Sequence, residues 1–136
     1  MNKLKINKTI FQYFLLLFPP LLYLLIISIL SQARGPFFLG SNLDPSYAYL
    51  FNSLSVSQGL PVGHLDHPGT PIQSLGAMVI NFMSFLNHKP DVITEVLQQP
   101  EYYLDSIFFV LISMNTVMLL IVGFIAFYLT KRLWVG

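Results

Sequence analysis

The sequence predicts an all-α membrane protein: two transmembrane helices joined by a long outer loop that carries two or three short interfacial helices. Three observations lead there. The 136 residues are 54% hydrophobic and only 10% charged, whereas a soluble domain carries roughly 25% charged residues; mean hydropathy is +0.65. The apolar residues are gathered into two long uncharged blocks instead of recurring at core-forming periods. The few charges are sorted along the chain: most basic residues flank the blocks, and every acidic residue lies between Leu43 and Ser106.

The first block, Ile10 to Leu30, is long enough for a hydrocarbon core that needs about 20 residues, so a transmembrane helix is expected over residues 10–31. A Lys-rich start, an apolar run and Ser31-Gln32-Ala33 also fit a cleavable leader. An h-region of about 7–15 residues is shorter than this block, and Pro19-Pro20 sits in its middle, so an uncleaved signal anchor is the better reading. Paired prolines remove two backbone donors. Partners in the bilayer are then expected to satisfy the freed carbonyls.

The second block predicts a span over residues 105–130. Lys3, Lys5 and Lys8 precede the first block, and Lys131 and Arg132 follow the second; the segment between holds only Arg34 and Lys89. The positive-inside rule puts residues 1–9 and 131–136 in the cytoplasm and the loop, 32–104, outside. A bacterial inner membrane is the expected location. The chain has no cysteine, which removes disulfides and thiolate metal sites. No nucleic-acid partner is expected.

A loop of roughly 75 residues is too long for a plain connection. Arg34-Gly35-Pro36 ends the first helix. Asp44 then Pro45 reads as N-cap and first helical residue, and Tyr47, Leu50, Phe51 and Leu54 form an apolar stripe behind them. That places a short helix over about 45–58, stopped by Gly59 and Pro61. Thr70, Pro71 and Gln73 read as cap, first residue and capping-box partner of a second helix, about 71–87. Ile72, Leu75, Gly76, Val79, Phe82, Met83 and Leu86 make one face of it. Gln73, Ala77, Asn81, Ser84 and His88 make the other, and this polar stripe predicts an interfacial helix rather than a third span. A third span would also put Lys131 and Arg132 on the wrong side. Pro90 and Pro100 bracket a short polar helix. Tyr102 and Tyr103 fit an aromatic belt.

Between the two juxtamembrane helices lies Gly63-His64-Leu65-Asp66-His67-Pro68-Gly69-Thr70-Pro71. His64, Asp66 and His67 are ligand types that zinc takes, and His88 could add a donor. Three ligands within four residues are crowded, however, and a turn capped by Asp66 with locally bonded histidines is the better reading of the local pattern. Histidine near its ordinary pKa can also hold or pass a proton. Asp44 can cap a helix and still offer its second oxygen to a ligand. Arg34, just beyond the first span, suits a lipid phosphate or a snorkelling anchor.

The order of these parts resembles the start of the C-type membrane glycosyltransferases. These use polyprenyl-phosphate sugars and include protein O-mannosyltransferases and aminoarabinose transferases. Many bacterial members carry an acidic pair before aromatic residues, then Asp-His-Pro-Pro entering a juxtamembrane helix. Asp44 matches the leading aspartate, Tyr47 and Tyr49 the aromatics, and Asp66-His67-Pro68 three of the four motif residues. Pro45 stands where a second acid is common, and Gly69 replaces the second proline. The resemblance implies that Asp44 is the catalytic carboxylate at the active site, either as general base for the acceptor or in metal-assisted binding with a divalent ion, and that Asp66, His67, His64 and Arg34 are candidates for the substrate pocket. It covers only the N-terminal part of enzymes with eight or more spans. The chain is therefore expected to be a truncated segment, inactive without further transmembrane helices. The rival reading is a non-enzymatic two-span protein whose outer loop binds a partner or metal. A transporter segment would want ionisable groups inside the spans, and both spans lack them.

Overall fold

A computed structural model describes residues 2–39, 46–63, 70–88 and 91–130. The protein is all-α. Five helices follow one another: α1 (Asn2–Arg34), α2 (Ser46–Ser57), α3 (Thr70–Asn87), α4 (Val92–Gln98) and α5 (Pro100–Thr130), with a 3-10 turn at Phe37–Leu39. Phe14–Arg34 and Pro100–Leu129 are long and apolar enough to cross a membrane, with mean hydropathies of 2.4 and 2.5. These are the two blocks read from the sequence. Both helices reach further than expected, to Asn2 at one end and to Pro100 at the other.

The chain divides into two compact units, Met1–Ala33 with Leu111–Gly136, and Arg34–Val110. In the first unit α1 continues through Pro19 and Pro20. The large apolar side chains of both helices are mostly exposed, up to Tyr128 at 80%, as lipid-facing residues are. Polar side chains near the middle of the second span find partners: Asn115 Nδ2 donates to the Tyr23 hydroxyl at 3.2 Å, and Thr116 Oγ1 bonds back to Ile112 O at 2.8 Å. A polar group without a partner in hydrocarbon costs several kcal/mol, so such pairing is what a spanning segment requires.

The second unit is built on α2 packed against α3. The termination of α2 follows the sequence expectation. Gly59 takes φ +72°, a left-handed position that glycine fills without a Cβ penalty. Its N–H bonds Val56 O at 3.0 Å, and Leu60 N–H bonds Ser55 O at 2.9 Å, the paired bonds of a Schellman end. The start of α2 at Asp44-Pro45 lies outside the described residues. α3 begins at Thr70 itself, and Asp91 caps α4 by accepting from Thr94 N at 3.0 Å. Hydrogen bonds from Thr94 hold the Asp91 carboxyl below the ordinary carboxylate value.

The packing of α3 departs from expectation. Its buried residues are Gln73, Gly76, Ala77, Val79, Ile80 and Ser84. The stripe expected to meet water thus largely lies against protein, because α2 offers Leu50, Asn52, Ser53 and Leu54, all buried. Gly76 sets the distance between the helices. A Cβ there would come within 2.8 Å of Ser53 Cβ and 3.3 Å of Ile107 Cδ1. Ser53 turns its hydroxyl back to Tyr49 O at 2.7 Å, so the close approach leaves no hydroxyl stranded. Met78, Phe82, Phe85 and Leu86 point outward. In water, leaving four such side chains mostly uncovered would give up about 4–7 kcal/mol, much of the ~5–15 kcal/mol that holds a domain together. Tyr103 also departs from the belt reading. It is fully buried with Leu104 and Ile107, while Tyr102 is 52% exposed.

Replacing Gly76 by leucine is expected to destabilise this unit by about 1–3 kcal/mol through overpacking, whereas Phe85→Leu leaves stability nearly unchanged. Thermal unfolding in detergent, followed by helical circular dichroism, checks both.

Candidate functional site

Of the residues singled out in the sequence, Arg34 is described. Asp44, His64, Asp66 and His67 lie outside the described residues. The structure does describe what holds each side of the two stretches that carry them, 40–45 and 64–69.

Glu101 holds the first. It sits in the opening turn of α5, and its carboxylate accepts three hydrogen bonds. Oε2 accepts from Phe37 N at 3.0 Å. Oε1 accepts from Phe38 N at 3.1 Å and from the Tyr47 hydroxyl. Phe37 and Phe38 precede residues 40–45, and Tyr47 follows them, so one carboxylate joins both sides of the stretch containing Asp44. Donation to Glu101 and the repulsion of a second negative charge push the Tyr47 phenol up to about 12.

Arg34 closes the same corner. Its guanidinium carbon lies 3.4 Å from the Phe37 ring centroid and 5.2 Å from that of Phe108. The two rings meet edge-on at 6.3 Å. Such stacking contributes about 0.5–2 kcal/mol and fixes a planar cation in one orientation. Arg34 Nε is buried without a partner among the described residues. Gly35 and Pro36 end α1, as the sequence indicated, and return the chain toward Glu101.

Asn52 holds the second stretch at its near side. From inside the α2–α3 seam its Oδ1 accepts Gly63 N at 3.1 Å, and His64 follows directly. Asn52 Nδ2 is buried without a partner among the described residues. At the other end of the seam Glu95 is 8% exposed, with Asn87 Nδ2 at 3.5 Å from its Oε1. Glu95 Oε2 and the Tyr103 hydroxyl are both buried with no hydrogen-bond partner among the described residues. His88, considered as an extra metal donor, ends α3 in a left-handed conformation, φ 51°, and is exposed. Among the described residues no group of three or more His, Cys, Asp or Glu is placed to hold a metal ion.

Glu101 and Asn52 were not legible as site residues. Pro100-Glu101 reads as an ordinary helix start, with an acid complementing the N-terminal dipole, and Asn52 as a polar residue on the far side of an amphipathic helix. What singles out Glu101 is its place in the first turn of a long apolar helix, where a charge needs partners; Asp105, one turn later, is exposed.

No family model, curated protein sequence or solved structure matches the chain.

Two measurements check the corner. Glu101→Gln turns one acceptor oxygen into a donor and leaves at least one N–H or O–H unpaired, so a loss of about 1–2 kcal/mol in detergent unfolding is expected. The alkaline difference spectrum between the natural chain and Tyr47→Phe is expected to show this phenolate only near pH 12. Because the folded value is raised, the stability from this bond is complete below pH 10, the ordinary tyrosine value, and is lost as pH climbs through about 12.

Proposed function

We propose that this chain acts as the N-terminal segment of an integral-membrane glycosyltransferase that moves a sugar from a polyprenyl-phosphate donor to an acceptor at the outer face of a bacterial inner membrane. The observation that carries the proposal is the motif order, Asp44 before Tyr47 and Tyr49, then Asp66-His67-Pro68 entering α3, between two apolar spans. Asp44 serves as general base toward the acceptor, or positions it through a divalent ion. Asp66, His67 and His64 shape the same pocket. Further transmembrane helices complete the groove for the prenyl chain.

The anchoring geometry supports this reading. The residues that tie both motif stretches belong to one helix: Tyr47, through Glu101, for residues 40–45, and Asn52, through Gly63, for residues 64–69. They lie about 7.5 Å apart along the axis of α2. Arg34 supplies a rigidly stacked cation whose Nε has no partner among the described residues, the kind of group that stabilises a departing phosphate. The carboxylate that would become general base and the cation that would meet the phosphate stand ten residues apart, with Glu101 holding the turn between them.

The test is glycosyl transfer from polyprenyl-phosphate sugars by membranes carrying the complete protein. Asp44→Asn is expected to reduce the rate about 10²–10⁴-fold at unchanged membrane abundance, and Arg34→Ala to weaken donor binding more than Arg34→Lys does. Full activity of the Asp44→Asn variant removes the role assigned to that residue. Absence of transfer by the natural protein removes the reading itself.

A further inference from the structure

The polarity of α3 runs opposite to that of a helix packed in water. Over Thr70–Asn87 there is no charged residue. Its small and polar side chains, Gln73, Gly76, Ala77 and Ser84, are turned to the protein, together with Val79 and Ile80. Met78, Phe82 and Phe85 are 64%, 61% and 73% exposed, on the side opposite the seam. Small residues inside and large apolar ones outside is how helices pack when their surroundings are as apolar as their side chains.

We propose that α3 lies along the plane of the membrane, with Met78, Phe82 and Phe85 against lipid acyl chains, Gln73 and Ser84 buried against the protein and Asn81 exposed. The proposal is independent of the glycosyltransferase reading. Three observations select lipid as the occupant. The outward face carries no charge with which to address a polar partner. The core of the same unit takes Tyr103, Leu104 and Ile107 from α5, whose stretch Pro100–Leu129 is long and apolar enough to span a bilayer. Most of the polar side chains that would keep a water-facing helix soluble are already used: Asn52 and Ser53 bond within the unit and Gln73 is 2% exposed, which leaves Asn81 as the exposed polar residue in the middle of α3. The lateral placement follows from charge and length. A crossing α3 would put Lys131 and Arg132 on the opposite side from Lys3, Lys5 and Lys8, and α3 falls short of the two spans in apolar length.

The chain has no cysteine, so a single introduced thiol carries a spin label without interference. Met78→Cys, Phe82→Cys and Phe85→Cys each alter an exposed side chain and leave the seam intact. The labelled full chain is reconstituted in phosphatidylcholine vesicles, and collisions are measured with oxygen, which concentrates in lipid, and with a water-soluble nickel chelate. The expected result is oxygen accessibility several-fold above nickel accessibility at all three positions, at one common depth. Nickel access at these positions overturns the proposal by placing the face in water. Shielding from both reagents overturns it by showing that protein, a second copy or another subunit, covers the face. A depth that changes by about 10 Å from Met78 to Phe85 overturns the lateral placement and makes α3 a crossing helix.

Discussion

A carboxylate with two oxygens and three donors holds together parts of the chain more than sixty residues apart. Glu101 stands at the start of α5, Phe37 and Phe38 just beyond α1, and Tyr47 in the first turn of α2. Backbone N–H groups in an irregular turn must find acceptors, and near a membrane water is a poor substitute for a fixed one. Charge-assisted bonds of this kind are about twice as strong as neutral ones. The chain leaving α1 is thereby committed to one path. That path lays Phe37 under the Arg34 guanidinium and fixes where residues 40–45 must begin and end. Without the clamp, α2 would be tied to the end of α1 only by the eleven residues of connection, 35–45.

The seam between α2 and α3 works by a different rule. It depends on absence of bulk: Gly76 admits Ser53, and Ser53 keeps its hydroxyl on its own helix. Hydrophobic burial of Leu50 and Ile80 contributes, yet more apolar side chain is turned outward along α3 than inward. An association driven by apolar burial in water would have chosen the opposite face. Close backbone approach and internal hydrogen bonds are what remain effective when the surroundings are lipid-like. One physical condition thus accounts for the buried Gln73, the exposed Phe85 and the need for glycine at position 76.

How much of this was legible in the sequence varies with the range of the interaction. The all-α class, the two long apolar helices, and the ends of α1 at Gly35 and of α2 at Gly59 all rest on local composition and turn chemistry. The division of α3 into an apolar and a polar face was also legible, but periodicity tells only that two faces exist. Which face meets protein depends on the partner helix and the solvent, and those lie elsewhere in the chain. Tyr103 was misread for the same reason: beside Tyr102 it looks like one half of an interfacial pair, whereas α5 turns one ring out and the other into the core. Glu101 was invisible because its donors are 54 to 64 residues away, and no spacing rule connects Phe37 to it.

The same dependence on distance bears on the polar stretch Gly63 to Pro71. Read locally, its histidines and aspartate are more readily a capped turn than a set of metal ligands. The Asn52 bond to Gly63 adds a constraint that the stretch alone does not contain. It ties the chain one residue before His64 to the α2–α3 seam, and the buried Asn52 amide has no acceptor for its Nδ2 among the described residues. Tyr47 and Asn52 project from α2 about 140° apart, at 100° per residue. One short helix, rather than either long one, therefore carries both side chains that fix the described edges of these stretches: Tyr47 through Glu101 and Asn52 through Gly63.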